Sequence, residues 1–300
     1  MKIGKVIVVL GPNASGKSDL AVEIAKFIRQ AEIISADSRQ VYKGFNLTAG
    51  TVPLDKNSNY KNIKHHLIAV TSPKKTFSVA QYQKLGRKVI HKILKEDKVP
   101  IICGGTGLYI DSLIYNINFP SVKANLKLRK QLEKLPADEL YRRLKKLDPG
   151  RSKNIDRFNK RRLIRAIEIV TATGKPIGKI SKTPLFNTLK IGVLTDKEDH
   201  HKRILKRIKD RIKKGMLKEV ADFHKNGLSW KRLESFGLEF KWISKYLQKQ
   251  INKKEMVDNL YKEICQYAKR QMTWWRKDKD IVWIKSKKEP LSIAKRFLKE

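Results

Sequence analysis

With 300 residues, 40% of them hydrophobic, and a mean hydropathy of -0.51, the chain is typical of a soluble globular protein that can bury a sizeable core. No apolar run approaches the roughly 18 residues that a membrane span needs, so we expect no membrane partner. Cys103 and Cys265 lack the spacing of a zinc site or a disulfide framework, and we interpret both as small buried side chains. The net charge of +39 favours a polyanionic partner, although a lysine-rich proteome would give the same excess.

The first predicted strand, residues 6–10, runs directly into a phosphate-binding loop. Residues 11–18 read GPNASGKS, which matches G-x-x-x-x-G-K-[ST] between a strand and a helix. Glycines allow such a loop to wrap around a phosphate, and the helix N-terminus attracts its charge. The predicted phosphate-binding residues are Gly11, Pro12, Asn13, Ala14, Ser15, Gly16, Lys17 and Ser18. We expect Lys17 to add a positive charge and Ser18 to be a ligand of Mg²⁺, the predicted cofactor.

The apolar start of the chain is continuous with this loop, so we do not interpret it as a secretory signal. We therefore expect the protein in the cytoplasm.

The second predicted strand, residues 33–34, leads to Asp37 in the segment IISADSRQVY. Asp37 follows the strand where a parallel sheet presents its carboxyl ends to ligands. A carboxylate there can hold Mg²⁺ or act as a general base toward a nucleophile. Alternatively, Asp37 or Ser38 caps a helix that begins at Arg39. The residues alone leave these interpretations open.

The third predicted strand, residues 99–103, is followed by a second glycine-rich turn in the segment CGGTGLY. Two such turns at one sheet edge can face one substrate, to which Thr106 would offer its hydroxyl. A plain tight connection between strand and helix is an equal alternative.

Short β-branched strands alternating with helical patterns predict an α/β fold, a P-loop NTPase-like parallel sheet core with a helical insertion domain. A fourth strand is predicted at residues 189–194, and residues 280–284 are either an edge strand or a packed terminus. We predict the first part of the core at residues 1–115, the insertion at 116–185, and the return to the core with basic C-terminal helices at 186–300. In the insertion, leucines recur at heptad-like spacing, namely Leu126, Leu132, Leu140, Leu144 and Leu147.

Basic residues cluster in three places beyond the phosphate loop. Residues 151–165 and 203–214 are rich in arginine, which suits phosphate, although basic helices are often merely solvated faces. The segment QYAKRQMTWW combines Lys269, Arg270 and Gln271 with two tryptophans. Stacking aromatics beside cations are typical of single-stranded nucleic-acid contacts. Trp274 and Trp275 are alternatively core residues.

In chain order, GPNASGKS, ISADSRQVYKG, HHLI, FSVAQY, GGTGLYI, RRLIRAIEI and AKRQMTWW resemble the bacterial tRNA dimethylallyltransferases, also called tRNA isopentenyltransferases or IPP transferases. The resemblance extends from residue 6 to residue 284. It implies transfer of a dimethylallyl group from dimethylallyl diphosphate to N6 of the adenosine immediately 3′ of the anticodon in tRNA. The phosphate loop would then hold the donor's diphosphate, which departs, and ATP would not be consumed.

The resemblance also implies roles for individual residues. Asp37 matches the general base, Thr106 a threonine that contacts tRNA, and Arg207 an arginine that reaches the pyrophosphate, while Lys17 and a Ser18-bound Mg²⁺ would stabilise the leaving group. The implied contacts to the anticodon stem-loop are Asp37, Ser38, Arg39, Gln40, Thr106, Arg129, Arg161, Arg162, Leu163, Ile164, Arg165, Lys269, Arg270 and Gln271. The target adenine would be extruded from its loop.

The chain departs from the family pattern at several positions. Ala69 follows HHLI where the family has an acid, Glu239 begins EFKW where a GYKE-like stretch is usual, and Cys265 replaces an arginine before AKRQ. The segments FNLTAGTVP and IDRFN also replace the usual GTAKP and IHPND motifs. These positions belong to expected RNA contacts or loop packing, whereas the phosphate loop, Asp37 and GGTG are retained.

Two other functions share some of these features. A small-molecule kinase using ATP would need the same loop and a nearby aspartate, but it leaves the basic surface unexplained. A P-loop RNA-binding module without catalysis would explain the charge, but not the retained Lys17, Ser18 and Asp37. Since so large a net charge disfavours self-association, we expect a monomer.

Overall fold

A seven-stranded sheet forms the centre of the structure, a computed structural model that describes residues 4–178, 182–284 and 289–300. The strands are β1 (Lys5–Leu10), β2 (Ala31–Ala36), β3 (Asn59–Tyr60), β4 (Ile63–His66), β5 (Val99–Gly104), β6 (Asn187–Val193) and β7 (Ile281–Ile284). Their order in the sheet is β3-β4-β2-β5-β1-β6-β7, and neighbouring strands are parallel except for β3 with β4. The predicted α/β fold is confirmed.

Helices connect and cover the strands. They are α1 (Lys17–Ile28), α2 (Val79–Lys95), α3 (Gly107–Ile114), α4 (Leu126–Glu133), α5 (Ala137–Leu147), α6 (Pro149–Ser152), α7 (Lys160–Thr173), α8 (Lys197–Lys213), α9 (Met216–Lys225), α10 (Trp230–Glu234), α11 (Leu238–Leu247), α12 (Lys253–Trp275) and α13 (Glu289–Lys299). Within the described ranges, none of the helices combines the length and apolarity that crossing a bilayer requires.

Both faces of the sheet are buried, which explains why its strands are continuously apolar rather than alternating. Ile7 and Val9 of β1 join one core with buried residues of α1. Val6, Val8 and Leu10 join a larger core on the other side, which includes buried residues of α8, α11 and α12. The sheet is therefore covered by helices on both faces, and loops form its carboxyl edge.

The carboxyl ends of three central strands meet at one point. Leu10 of β1 and Ala36 of β2 are both paired in register with Gly104 of β5. A Cβ atom at position 104 would lie 2.2 Å from the carbonyl oxygen of Ala36, so this close approach requires glycine. Consequently the phosphate loop, Asp37 and the second glycine-rich turn emerge side by side.

The strands predicted at residues 6–10, 33–34, 99–103 and 189–194 are confirmed as β1, β2, β5 and β6, with small shifts at their ends. Of the two interpretations of residues 280–284, the edge strand is correct, because β7 pairs in parallel with β6 at the end of the sheet. β3 and β4 were not predicted. They are only two and four residues long, too short for a periodic pattern, and a single tight turn joins them.

Residues Asn116–Thr183 form a compact unit separate from the rest of the chain. This unit contains α4, α5, α6 and α7 and has its own apolar core. Of the leucines at heptad-like spacing, Leu132, Leu140 and Leu144 lie in that core, whereas Leu126 and Leu147 are exposed. The second unit comprises the chain up to Tyr115 and from Pro184 onward, and it contains the sheet.

Candidate active site

A cavity of about 720 Å³ lies at the carboxyl edge of the sheet. Its lining combines residues 13–19 of the phosphate loop and α1, residues 37–40 after β2, and a loop around Gly50. Side chains of α8, α11 and α12 complete the wall. Seven stretches of the chain, including residues 103 and 104 at the end of β5, therefore converge on one space.

The predicted phosphate loop turns sharply between β1 and α1. Ala14 and Gly16 adopt left-handed conformations, with φ of 61° and 89°, and Gly16 caps the N-terminus of α1. The Lys17 ammonium donates to the carbonyl of Pro12 at 3.1 Å. Burial lowers the pKa of Lys17, and the charge of Arg207 lowers it further, while Cys103 and Asp37 raise it. Within the described ranges, the buried Ser15 hydroxyl has no hydrogen-bond partner, as expected where a polar ligand belongs.

Asp37 does not cap a helix, so that alternative is wrong. The residues after it form turns, and its Oδ1 accepts hydrogen bonds from the backbone N–H groups of Arg39 at 2.7 Å and Gln40 at 3.4 Å. Among the described residues, Oδ2 accepts no hydrogen bond. Thr106 supports this turn from the neighbouring strand end, since its Oγ1 accepts from the backbone N–H of Ser38 at 3.2 Å. The carboxylate of Asp37 is thus fixed through one oxygen and available through the other.

Three arginines of α8 line the cavity, namely Arg203, Arg207 and Arg211. Their spacing of four residues places them along one face of the helix. Within the described part of the chain, Arg207 makes no hydrogen bond or ion pair, whereas Arg211 pairs with Glu239 at 3.3 Å. Arg207 was predicted individually, whereas Arg203 and Arg211 were predicted only as members of the basic segment 203–214, although their i, i+4, i+8 spacing was a usable signal.

The segment AKRQMTWW contributes a buried side chain that stabilises the site, besides any contact with RNA. The buried Gln271 donates to the carbonyl of Gly105 at 2.7 Å and accepts from the backbone N–H of Asn13 at 3.0 Å, so it joins the two glycine-rich turns. Lys269 and Arg270 are exposed, and Arg270 reaches the cavity lining. Of the two tryptophans, Trp275 is a core residue as the alternative held, whereas Trp274 is 41% exposed.

In the insertion, the run from Arg161 to Arg165 divides into two faces of α7. Arg161 and Arg162 are exposed. Leu163 and Ile164 are buried in the core of this unit, so their side chains are not available to RNA and pack against neighbouring helices instead.

Arg129 and Arg165, both predicted to hold tRNA, bind a carboxylate of their own unit. Arg129 makes a bidentate contact to the buried Glu168 at 2.8 and 2.7 Å, and Arg165 donates to the same side chain. Both arginine side chains remain about one third exposed, at 34% and 36%. They are therefore held in fixed positions at the surface.

The three single-residue departures from the family pattern fall in different surroundings. Glu239 lines the cavity. Ala69 is left-handed, with φ of 55°, and its backbone N–H donates to the carbonyl of Gln40 at 2.8 Å. Cys265 is half-buried on α12, with its sulfur 4.0 Å from Nδ1 of His201, whereas Cys103 is buried as expected. The Glu239 departure therefore bears directly on the site.

The sequence motifs also failed to predict a carboxylate that supports the loop around Gly50. Glu219 of α9 accepts hydrogen bonds from the backbone N–H groups of Leu47 at 2.7 Å and Thr48 at 3.0 Å, and from the Thr48 hydroxyl at 2.5 Å. It thereby anchors the loop that carries Gly50 into the cavity wall. Because the partners lie some 170 positions away, the sequence around Glu219 carried no signal for this role.

The arrangement can bind a multiply charged anion and hold a carboxylate base beside it. Basic side chains outnumber acidic ones in the lining: Lys17, Arg39, Arg203, Arg207, Arg211 and Arg270 against Asp19, Asp37, Glu239 and Glu263. A site of this composition, built on a phosphate loop, is suited to a phosphorylated substrate whose phosphates act as a leaving or transferred group.

Comparison with known proteins points in the same direction. The family model described as IPP transferase matches residues 40–278. A curated tRNA dimethylallyltransferase from Acetivibrio thermocellus is 41% identical over 288 residues, which cover 93% of this chain and 91% of the relative. A solved structure of a tRNA delta(2)-isopentenylpyrophosphate transferase from Staphylococcus epidermidis has 31% identity and a TM-score of 0.71, with 99% of each chain covered. A eukaryotic dimethylallyltransferase acting on tRNA has a TM-score of 0.83 over 99% of this chain and 80% of its own, and at 24% identity it supports the fold alone.

Proposed function

The chain belongs to the IPP transferase family and is an enzyme with tRNA dimethylallyltransferase function, and from this premise we propose its substrate position and mechanism. It transfers a dimethylallyl group from dimethylallyl diphosphate to N6 of the adenosine immediately 3′ of the anticodon and releases diphosphate. The observation that carries the proposal is the shared cavity, in which the phosphate loop and Asp37 line the same space.

The first part of the mechanism is stabilisation of the departing diphosphate. Breaking the bond between the allylic carbon and oxygen moves negative charge onto the diphosphate, and preorganised donors that face this charge lower the barrier. The loop N–H groups, Lys17 and Arg207 are such donors. Arg207 is suited to this role because, among the described residues, it has no anionic partner of its own.

The residues present fit a Mg²⁺ ion held mainly by the substrate. Mg²⁺ prefers oxygen ligands and is commonly bound by one or two protein oxygens together with phosphates and water. The described ranges contain no cluster of three or more His, Cys, Asp or Glu side chains for a metal, but the Ser18 hydroxyl lies at the start of α1 in the cavity lining. Ser18 would hold the ion, which would supply charge neutralisation for the diphosphate.

The second part of the mechanism is activation of the adenine amine. Its lone pair is delocalised into the ring, so the exocyclic N6 is a poor nucleophile until a base accepts its proton. Asp37 supplies this base through Oδ2, while Oδ1 stays bound to the backbone of Arg39. Thr106 keeps the turn in place through Ser38. The proton leaves N6 for the Asp37 carboxylate as the new carbon–nitrogen bond forms.

Access to N6 requires the adenine to leave its stack, as for other enzymes that modify bases. Exposed cations offer phosphate contacts on each unit separately: Arg161 and Arg162 on α7, and Lys269 and Arg270 on α12. Such contacts release counterions, so tRNA affinity should fall steeply as salt increases. The net charge of +39 disfavours self-association, and we propose a monomer that acts in the cytoplasm.

The test is prenylation of a defined RNA. Purified protein is incubated with Mg²⁺, dimethylallyl diphosphate and an anticodon stem-loop bearing adenine 3′ of the anticodon, and the RNA is analysed by mass spectrometry. We expect one added C5H8 unit on that adenine. An otherwise identical RNA with guanine at this position should gain no mass.

Asp37→Asn tests the base. This isosteric change should lower kcat roughly a hundredfold or more, as expected for the loss of a general base, and leave binding of the RNA largely unchanged. Asp97→Asn is the matched control, because Asp97 is exposed and has a positive φ that asparagine tolerates. Full activity in Asp37→Asn would refute the role of Asp37, and ATP hydrolysis without prenylated RNA would refute the proposed function.

A further inference from the structure

Two arginines of α8 converge on a single glycine in the cavity wall. Gly50 has a φ of +57°, and a Cβ atom placed on it would lie 1.5 Å from Nη2 of Arg211 and 2.2 Å from Nη2 of Arg207. The two guanidinium tips therefore lie side by side in the space that a side chain at position 50 would occupy. Glu219 fixes this loop through Leu47 and Thr48, so the glycine is held against both arginines.

Within the described ranges, Glu239 is the one carboxylate in ion-pair contact with these two arginines, while Asp37 attracts both from a longer distance. Arg211 donates through Nη1 to Glu239 at 3.3 Å, which leaves Nη2 directed at Gly50 beside Arg207. Arg207 has no acceptor in the described part of the chain. Burial raises the pKa of Glu239, although the two arginines oppose this, and burial together with the charge of Arg207 lowers the pKa of Arg211 to about 10. Two neighbouring guanidinium groups that share one ion-paired carboxylate repel each other, and an anion that joins them relieves this repulsion.

We propose that Arg211 is a second arginine of the diphosphate site, oriented by Glu239 and Gly50 to bind the same anion as Arg207. The inference rests on the proposed function, which supplies dimethylallyl diphosphate as substrate and diphosphate as product. Arg211 lines the same cavity as the phosphate loop, and its free Nη2 is a fork donor of the kind that binds phosphate oxygens. Its contribution is to donor affinity and to stabilisation of the leaving group.

A phosphate of the tRNA backbone is the other source of the same ligand chemistry. The donor diphosphate is favoured because Arg207 and Arg211 share the cavity with Lys17 and the phosphate loop, whereas Arg161, Arg162 and Lys269, which are proposed for tRNA, are exposed and outside the cavity lining. Separate binding measurements with pyrophosphate and with RNA distinguish the two sources.

The first experiment compares Arg211→Met with wild type by calorimetric titration with inorganic pyrophosphate and Mg²⁺. Losing a charge-assisted hydrogen bond should weaken pyrophosphate binding about tenfold to a hundredfold. The KM for dimethylallyl diphosphate should rise in parallel, while the affinity for the stem-loop RNA should stay within about twofold. Lys218→Met, which removes an exposed cation from the next helix, should leave all three quantities unchanged.

A double variant separates ligand binding from neutralisation of Glu239. If Arg211 serves only to neutralise Glu239, then Arg211→Met combined with Glu239→Gln should regain wild-type pyrophosphate affinity. If Arg211 binds the anion itself, the double variant should remain about as weak as Arg211→Met. Thermal unfolding of each variant verifies that it is folded, and Arg211→Lys, which retains the charge without the fork, should show an intermediate affinity.

Different results would refute the role of Arg211 and the proposed function. Unchanged pyrophosphate affinity in Arg211→Met, or a loss confined to RNA affinity, would overturn the role of Arg211 while wild-type protein still prenylates RNA. Absence of prenylated RNA with wild-type protein would overturn the proposed function, and the pyrophosphate titration would still decide whether Arg211 belongs to the anion site.

Discussion

Replacing Glu168 with glutamine should loosen the helical insertion, because this side chain is a buried anion that several donors share. Glu168 is 1% exposed and binds Arg129, Arg165 and the backbone N–H of Asn125. Burial raises the pKa of Glu168, but the hydrogen bonds from the two arginines outweigh it and bring the pKa from 4.5 to about 2. A decrease of this size corresponds to about 3 kcal/mol of stability at neutral pH.

We expect Glu168→Gln to cost about 2 to 3 kcal/mol, because glutamine retains one acceptor and the arginines remain partly hydrated. The insertion contains no tryptophan, so the readout is hydrogen–deuterium exchange of peptides from α4 and α7. Their protection should fall roughly 30- to 160-fold. Glu139→Gln is the matched control in the same unit, since Glu139 forms an exposed i, i+4 pair with Arg143, for which less than about 0.5 kcal/mol is expected.

The pH dependence provides a second check on Glu168. Because its pKa is lower in the folded state than in the unfolded chain, its contribution is fully present above about pH 4.5 and is lost as the pH falls toward 2. The difference in protection factors between wild type and Glu168→Gln should therefore shrink over that interval. Equal losses of protection in Glu168→Gln and Glu139→Gln at neutral pH would refute the reasoning.

Three further predictions concern the walls of the cavity. Gly50→Ala should raise the KM for dimethylallyl diphosphate at least tenfold, because a Cβ atom displaces the two arginine tips and the φ of +57° disfavours alanine; a change in the KM for RNA alone would contradict this. Glu219→Gln should lower the free energy of the opening that exposes the loop around Thr48 to hydrogen exchange by about 2 kcal/mol, because the NH₂ of glutamine would face backbone donors. The control Asp222→Asn, an exposed position on the same helix, should have no effect. Gln271→Leu should lower the free energy of unfolding by about 2 kcal/mol, seen in urea denaturation, since it leaves the partly buried N–H of Asn13 and the buried carbonyl of Gly105 unpaired; an unchanged midpoint would contradict it.

Much of the site follows from local sequence together with one rule of parallel sheets. The phosphate loop is recognised from a spacing of glycines and lysine, and Asp37 from its position just after a buried strand. Because parallel strands present their carboxyl ends at one edge, the sequence also predicts that the loop, Asp37 and the second glycine turn are neighbours. In the sheet, Leu10 and Ala36 are both paired with Gly104, in agreement with this rule.

Other parts of the site depend on contacts that no local pattern encodes. The loop around Gly50 meets Arg211 of α8 across a long sequence separation, and the buried Glu239 that pairs with this arginine belongs to yet another helix. In contrast, the error over Leu163 and Ile164 was avoidable. A period of 3.6 residues places them opposite Arg161 and Arg162, and only one face of α7 can be solvated.

The large positive charge of the chain is divided between two physical roles. Exposed cations such as Arg161 and Lys269 lose little hydration when they approach RNA, so they add affinity that salt screens. Arg207 and Arg211 lie in a cavity and close together, where each loses water and repels the other before any ligand arrives. That cost is offset when a multiply charged anion bridges them, and the benefit grows with the charge on the anion. A diphosphate gains charge as it leaves the allylic carbon, so this arrangement favours the departing state over the bound donor, which is the condition for catalysis rather than mere binding.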